Sequence, residues 1–262
     1  AQTDATRIGQ TLYRIDANTA GPQSYFPEKH LAAWLAEQGI SSSVYALDKS
    51  GLEPTRAAYR ALEQQIQPDA LVVVDGGTDI LMHGDEAGLG TPAEDITSLL
   101  AASEFTVATK LVTCVGFGID SYHGVAHADF LENVAGLVKA GAFLGTHALL
   151  PTASGVEGYL AALDYVHERT PGRESIVNSS LAAAVRGEFG DHHTLERTRR
   201  SGTELFINPL MSLVWTFDLE PLAARCRYAE ALDGTQTMFE VHARIEAFRA
   251  RADIRPRRPL PM

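Results

Sequence analysis

"LVVVDGGTDILMHGDEAGLGTPAED" (residues 71–95) decides how the chain is read. With Ala70 before it, the run "ALVVVD" (70–75) is short, apolar and β-branched, as a buried strand should be. At Asp75 the chain turns abruptly to glycine and acid. Thr91-Pro92-Ala93-Glu94 reads as a capping box, with Thr91 at the N-cap, Pro92 at the first helical position and Glu94 reaching back, so "PAEDITSLLAAS" is a helix. Between strand and helix lie about 16 residues, and connections of that length in compact domains are usually functional or disordered.

On either side of this stretch, helical and strand patterns alternate. "EKHLAAWLAEQG" (28–39) is an amphipathic helix stopped by Gly39, "SSVYALD" a short strand, and "EPTRAAYRALEQQI" a helix with Pro54 near its start. After the glycine-rich segment and its helix come a strand "ATKLVTCVG" (108–116), a helix near 127–140, a strand "GAFLGTHALL" and a helix near 155–168. Short strands, apolar on both faces and spaced by helices, predict a parallel sheet covered on both sides. Beyond Pro171 the rhythm loosens. "ESIVNSSLAAAVRGEFG" is helix-like, whereas "ELFINPLMSLVWTFDLE" contains Pro209 and is strand only in part. In "DGTQTMFEVHARIEAFRARAD" Met238, Val241, Ile245 and Phe248 form the core-facing stripe of a helix. The expected architecture is a single α/β domain over residues 1–252: a Rossmann-like, mostly parallel sheet flanked by helices, with a C-terminal helical extension. Residues 253–262 form an Arg- and Pro-rich tail, either frayed or clasping a partner.

The 262 residues are 45% hydrophobic and 21% charged, with a formal net charge of -11. So acidic a chain is not expected to bind nucleic acid, which is held by neutralising its phosphates. No apolar run approaches the length of a membrane span and no leader pattern is present, so a cytoplasmic location is expected. The two cysteines, Cys114 and Cys226, lack metal-ligand spacing, and Cys114 in "KLVTCVGFG" reads as a buried free thiol.

In open parallel sheets, ligands bind outside the carboxyl ends of the strands. Asp75 ends its strand and should face that crevice. Gly76 and Gly77 permit close backbone approach, Thr78 offers a hydroxyl, Asp79 a second carboxylate, and Asp85 and Glu86 follow. Gly90 and Thr91 are assigned to the ligand side as well, although Gly88 and Gly90 also serve simply to shape the turn into the helix. The next strand ends "VGFGIDSYHG", so Gly118, Asp120 and His123 should reach the same crevice if the strands are neighbours. His123 and His127 have the H-x3-H spacing of metal ligands, a pattern that an exposed pair near a helix start produces equally well. Clustered carboxylates have three uses open to them. They hold a hard cation such as Mg2+ or Ca2+, with Asp75, Asp79 and Asp120 as ligands. They form an acid/base pair with a raised pKa. Or they bind ligand hydroxyls, as a strand-end acid does for ribose.

Outside this region, "GDHHTLERTRRSG" gathers His192, His193, Arg197, Arg199 and Arg200, which suits either a substrate anion or local salt bridges. Asn178 lies beside a helix junction and serves a ligand or a cap. Asp218 reads as the N-cap of a helix. No G-x-S-x-G elbow, Walker A loop, H-E-x-x-H or C-x-x-C pair occurs, which removes several common enzyme classes.

The stretches "VVVDGGTDILMHGDEAGLGTPAEDITSL", "NPLMSLVWTFDLEPLAARCRYAEALDGTQT" and "FLENVAGLVKAGAFLG" resemble the domain-of-unknown-function family 1152 of bacteria and archaea. The resemblance covers most of the chain from about residue 28 onward and carries no assigned activity. Members of that family open with an apolar strand and a glycine-rich turn of the kind that cradles phosphate. The opening "AQTDATRIGQTLYRIDANTAGPQSYFPEKH" has no such strand-turn-helix, which puts nucleotide binding through it in doubt and leaves the aspartate crevice.

The expected function is an enzyme acting on a small polar metabolite (a sugar, nucleoside or phosphorylated compound) by hydrolysis or group transfer. Asp75, Asp79, Asp120, Glu86 and His123 are the catalytic candidates. Gly76, Gly77, Thr78, Asp85, Gly90, Thr91, Gly118, Asn178 and Arg197 are the ligand-binding ones. The alternative is a non-catalytic binding or partner subunit, with the tail completing a homo-oligomer.

Overall fold

The computed structural model describes residues 3–21 and 25–260. In chain order these form β1 (Thr6–Arg7), β2 (Leu12–Ile15), α1 (Pro27–Glu37), β3 (Val44–Leu47), α2 (Leu52–Ile66) and β4 (Ala70–Asp75). Then follow α3 (Pro92–Ala102), β5 (Thr109–Cys114), α4 (His127–Lys139), β6 (Phe143–Ala148), α5 (Ser154–Arg169) and α6 (Ile176–Val185). The last are β7 (Gly190–Asp191), α7 (Glu196–Ser201), β8 (Phe206–Ile207), β9 (Leu213–Asp218), α8 (Leu219–Ala223) and α9 (Met238–Arg249). The protein is a mixed α/β protein, and no helix of the described residues is long and apolar enough to cross a membrane.

The chain divides into two compact units, Ala1–Asp48 with Leu149–Ser212, and Lys49–Ala148 with Leu213–Met262. In the first, β1, β2 and β3 form an antiparallel sheet in that order. Helix α1 ends where Gly39 adopts φ +69°, a conformation that costs glycine nothing, and it packs on α5. The short strands β7 and β8 pair antiparallel.

The second unit is built on a four-stranded sheet of order β4-β5-β9-β6. Strands β4 and β5 pair parallel along their whole length, from Ala70 opposite Thr109 to Asp75 opposite Cys114. Strand β9 runs antiparallel to both β5 and β6. The mostly parallel sheet expected from the βαβ rhythm is therefore only partly realised. Strands β4, β5 and β6 do share one direction, but the slot between β5 and β6 is filled by β9. Alternation of helix and strand fixes the direction of successive strands; it carries no information about a later strand entering between them.

The expectation of cover on both faces also needs correction. Along β4 the exposure alternates, and Val72 and Val74 remain 46% and 67% exposed, as does Leu144 of β6 at 51%. The opposite face carries the core: Val112, Cys114 and Phe217 are fully buried, with Val73, Phe143 and Trp215 packed beside them. Trp215 meets Phe130 edge-to-face at 5.2 Å between ring centres. Helices α3 and α9 close this side, through Leu99, Ile96, Val241 and Ile245. Met238 and Phe248 also pack against it, so the stripe read from α9 is core. Cys114 is the buried free thiol that its apolar run implies.

The tail does not fray within the described residues. Arg255 and Arg258 make ion pairs with Asp85, Glu86 and Glu132 of the same unit, and with Asp129 at 3.6 Å. Its last residues, Pro261 and Met262, lie outside the described residues.

Candidate functional site

Because β4 and β5 are parallel neighbours in register, the turns that follow them leave the same end of the sheet. Backbone contact joins the two turns. A Cβ on Gly88 would stand 2.3 Å from the carbonyl oxygen of Gly124, so only glycine lets the long loop lie against the second turn. After Asp75 the chain passes through Gly76 and Gly77 into a short 3-10 turn, Asp79–Leu81. After β5, Gly118 at φ +95° starts a second one, Ile119–His123, which Gly124 at φ +93° ends.

Four carboxylates converge there. Oxygen atoms of Asp75, Asp79 and Asp95 lie within 4.8 Å of one another. Asp120 stands close enough to raise the pKa of both Asp75 and Asp95. Asp75, Asp79 and Asp120 are buried. Thr78 holds Asp120 by donating its backbone N–H (2.6 Å) and its hydroxyl (3.1 Å), both to Oδ2. Thr91 holds Asp79 in the same way, through its N–H (2.7 Å) and hydroxyl (3.4 Å). The two glycines beside them make room. A Cβ on Gly77 would come within 2.7 Å of the Asp120 carboxylate, and one on Gly90 within 2.2 Å of Asp79 Oδ2.

No lysine or arginine pairs with any of these four acids among the described residues, and their protonation follows from that. Burial, then repulsion by Asp95, Asp79 and Asp120, pushes Asp75 well above the usual carboxylate range. Burial and the charges of Asp79, Glu94 and Asp120 bring Asp95 up to about 7. Burial and Asp79 raise Asp120 to about 6, against the bonds from Thr78 and the nearby His123. Burial raises Asp79 too, and the N–H of Thr91 opposes it. Buried like charges of this kind are where acid/base and cation chemistry are found.

Several residues named from sequence are placed differently. Thr91 occupies the N-cap position of α3 but makes no capping bond, because its polar groups serve Asp79. Glu94 turns outward to Lys49 at 2.5 Å, so the capping box is not formed. Glu86 belongs to another cluster: fully buried, it accepts from the N–H groups of His83 and Gly84 and from Asn133 Nδ2. Asp85 pairs with Arg227 and Arg255. His123 is exposed, edge-on to Tyr122, and His127 stacks on Phe117, so the two histidines do not share a ligand position. Asn178 and Arg197 belong to the other unit. There Asn178 accepts from Tyr159 and bonds Ser175 at the start of α6, while Arg197 donates to the carbonyl of Glu174. The neighbouring basic side chains are engaged locally as well: Arg199 and Arg200 pair with Glu196, and the His193 ring meets Asp191 at 3.0 Å.

Asp95 is the residue that sequence reading missed. It follows directly on the capping-box pattern, which accounted for the whole of residues 91–95. Its signal was position: the fourth residue of a helix whose first turn begins at the crevice.

The chain belongs to the family described as protein of unknown function (DUF1152), whose model matches residues 2–255. That match includes the opening segment as well as the stretches that carry the resemblance. No match was found among curated proteins or solved structures.

Proposed function

We propose that this member of the family is a divalent-cation-dependent enzyme that hydrolyses, or transfers a group from, a small polar metabolite such as a sugar, nucleoside or phosphorylated compound. The observation that carries the reading is the meeting of Asp75, Asp79 and Asp95 within 4.8 Å, with no lysine or arginine beside them among the described residues. Buried carboxylates at that spacing repel unless protons or a cation neutralise them, and an all-oxygen ligand set suits Mg2+, Mn2+ or Ca2+. A cation bound there would polarise a substrate oxygen and lower the pKa of bound water.

The chain's own groups take the remaining roles. Asp120, brought to about 6, is suited to proton transfer near neutrality, and Thr78 engages only its Oδ2. His123, exposed and near enough for its charge to act on Asp79 and Asp120, is assigned as a second proton carrier. Gly76, also exposed at the end of β4, offers backbone to a ligand. The Rossmann-like reading of the fold rests on the parallel β4–β5 pair and on this crevice at its carboxyl end.

The test is calorimetric titration with Mg2+, Mn2+ and Ca2+ of the wild type and of Asp75→Asn/Asp95→Asn, followed by a panel of phosphate esters and glycosides. One cation per chain is expected, with affinity reduced at least about tenfold in the double variant. Absence of binding to the wild type, or equal binding to the variant, defeats the reading.

A further inference from the structure

The loop that carries Asp79 has a second anchor far from the aspartates in sequence. Glu86, with no exposed surface, accepts from His83 N–H at 2.9 Å, Gly84 N–H at 2.9 Å and Asn133 Nδ2 at 3.1 Å. Its cation is Arg255, whose Nη2 lies 3.1 Å from Glu86 and 3.2 Å from Asp85. The Arg255 backbone N–H donates to the carbonyl of Asp85 at 2.8 Å. Arg249, at the end of α9, donates to the carbonyls of Gly84 at 2.9 Å and Glu86 at 3.0 Å. On the far side Arg255 and Arg258 both pair with Glu132 of α4. The acidic turn is thus held by arginines from α9 and the segment that follows it. A fully buried carboxylate deprived of its cation is strongly destabilising, so the shape of this turn depends on Arg255. Upstream of the turn lies Asp79; downstream lies Thr91, which holds Asp79 through Oδ2.

We propose that Arg255 is a positioning residue for the aspartate crevice: by neutralising Glu86 it holds residues 79–91 in the shape that sets Asp79 beside Asp75 and Asp95. The proposal rests on the crevice reading above only for its cation readout.

The full-length protein, Arg255→Ala and Arg255→Lys are compared by amide hydrogen exchange and by Mn2+ titration, with and without guanidinium ion at a sub-denaturing concentration. In Arg255→Ala the amides of His83, Gly84 and Thr91 should exchange about tenfold faster, with Mn2+ affinity falling about as much. Arg255→Lys should fall between it and the wild type, and added guanidinium should restore Arg255→Ala toward normal on both readouts. If Arg255→Ala does not fold, Arg255→Lys with and without guanidinium decides by the same amides. Unchanged exchange at Thr91 while His83 and Gly84 loosen overturns the proposal, because the clasp is then only local. Loosening that guanidinium does not reverse overturns it too. Failure of the wild type to bind Mn2+ removes the cation reading and leaves the exchange data to judge the strap.

Discussion

The loop after β4 contributes a buried acid to each of two acidic clusters, Asp79 to one and Glu86 to the other, and the protein treats the clusters in opposite ways. Around Glu86 the acids Asp85, Glu86 and Glu132 face Arg227, Arg255 and Arg258. Around Asp75 the acids Asp75, Asp79, Asp95 and Asp120 face no arginine or lysine among the described residues. Burial does not separate the clusters, since Glu86 and Asp79 are 0% and 3% exposed. Partners do. Burial favours the neutral form of Glu86, but the N–H groups of His83 and Gly84 and the amide of Asn133 outweigh it and lower its pKa. Burial of Asp75 is reinforced by its neighbours instead. An acid neutralised from within holds the architecture together; an acid left to be neutralised from solution is kept for chemistry.

The largest effect should come from the neutralised cluster. Glu86→Ala strands the N–H groups of His83 and Gly84, takes one acceptor from the amide of Asn133 and one of three carboxylates from Arg255, and should cost about 3–5 kcal/mol in urea unfolding. A loss below about 1 kcal/mol would mean that the two clusters do not differ in kind.

The aspartate cluster should respond with the opposite sign. Its pKa values lie above those of the unfolded chain, so the folded state holds extra protons between about pH 4 and pH 7. That stability is complete below the unfolded pKa and is lost as pH rises through about 6 to 7. Without added cation, the melting temperature should be higher at pH 5 than at pH 8, by a few degrees. Asp95→Asn should flatten the profile and raise stability at pH 8 by about 1 kcal/mol. A profile that rises with pH would place these carboxylates with the neutralised kind.

The smallest effect belongs to the outward pair. Lys49 and Glu94 are well exposed, so Glu94→Ala should change stability by less than about 0.5 kcal/mol and leave cation binding untouched. A loss of cation affinity in that variant would restore the capping box to the argument.

Local patterns were legible in the sequence to within a residue or two. The strand "ALVVVD", the helix from Pro92 and the apolar stripe of α9 all follow from period and punctuation alone. What escaped depended on pairings across long stretches of chain. The entry of β9 between β5 and β6 has no local signal. The pattern T-P-A-E satisfied every local rule for a cap, and only the arrival of Asp79 shows why Thr91 does something else. The tail reads as either frayed or clasping a partner because the acids it meets, Asp85 and Glu86, lie far upstream.

The late strand also has a consequence for how the protein is made. Emerging from the ribosome, β4, β5 and β6 are complete long before β9, and the whole of residues 149–212 must follow first. Until then one edge of β5 and one of β6 lack the strand that will join them, a state open to misassociation. Pairing strands so far apart along the chain slows folding. The four aspartates are thus all synthesised before the strand that completes the sheet beneath them.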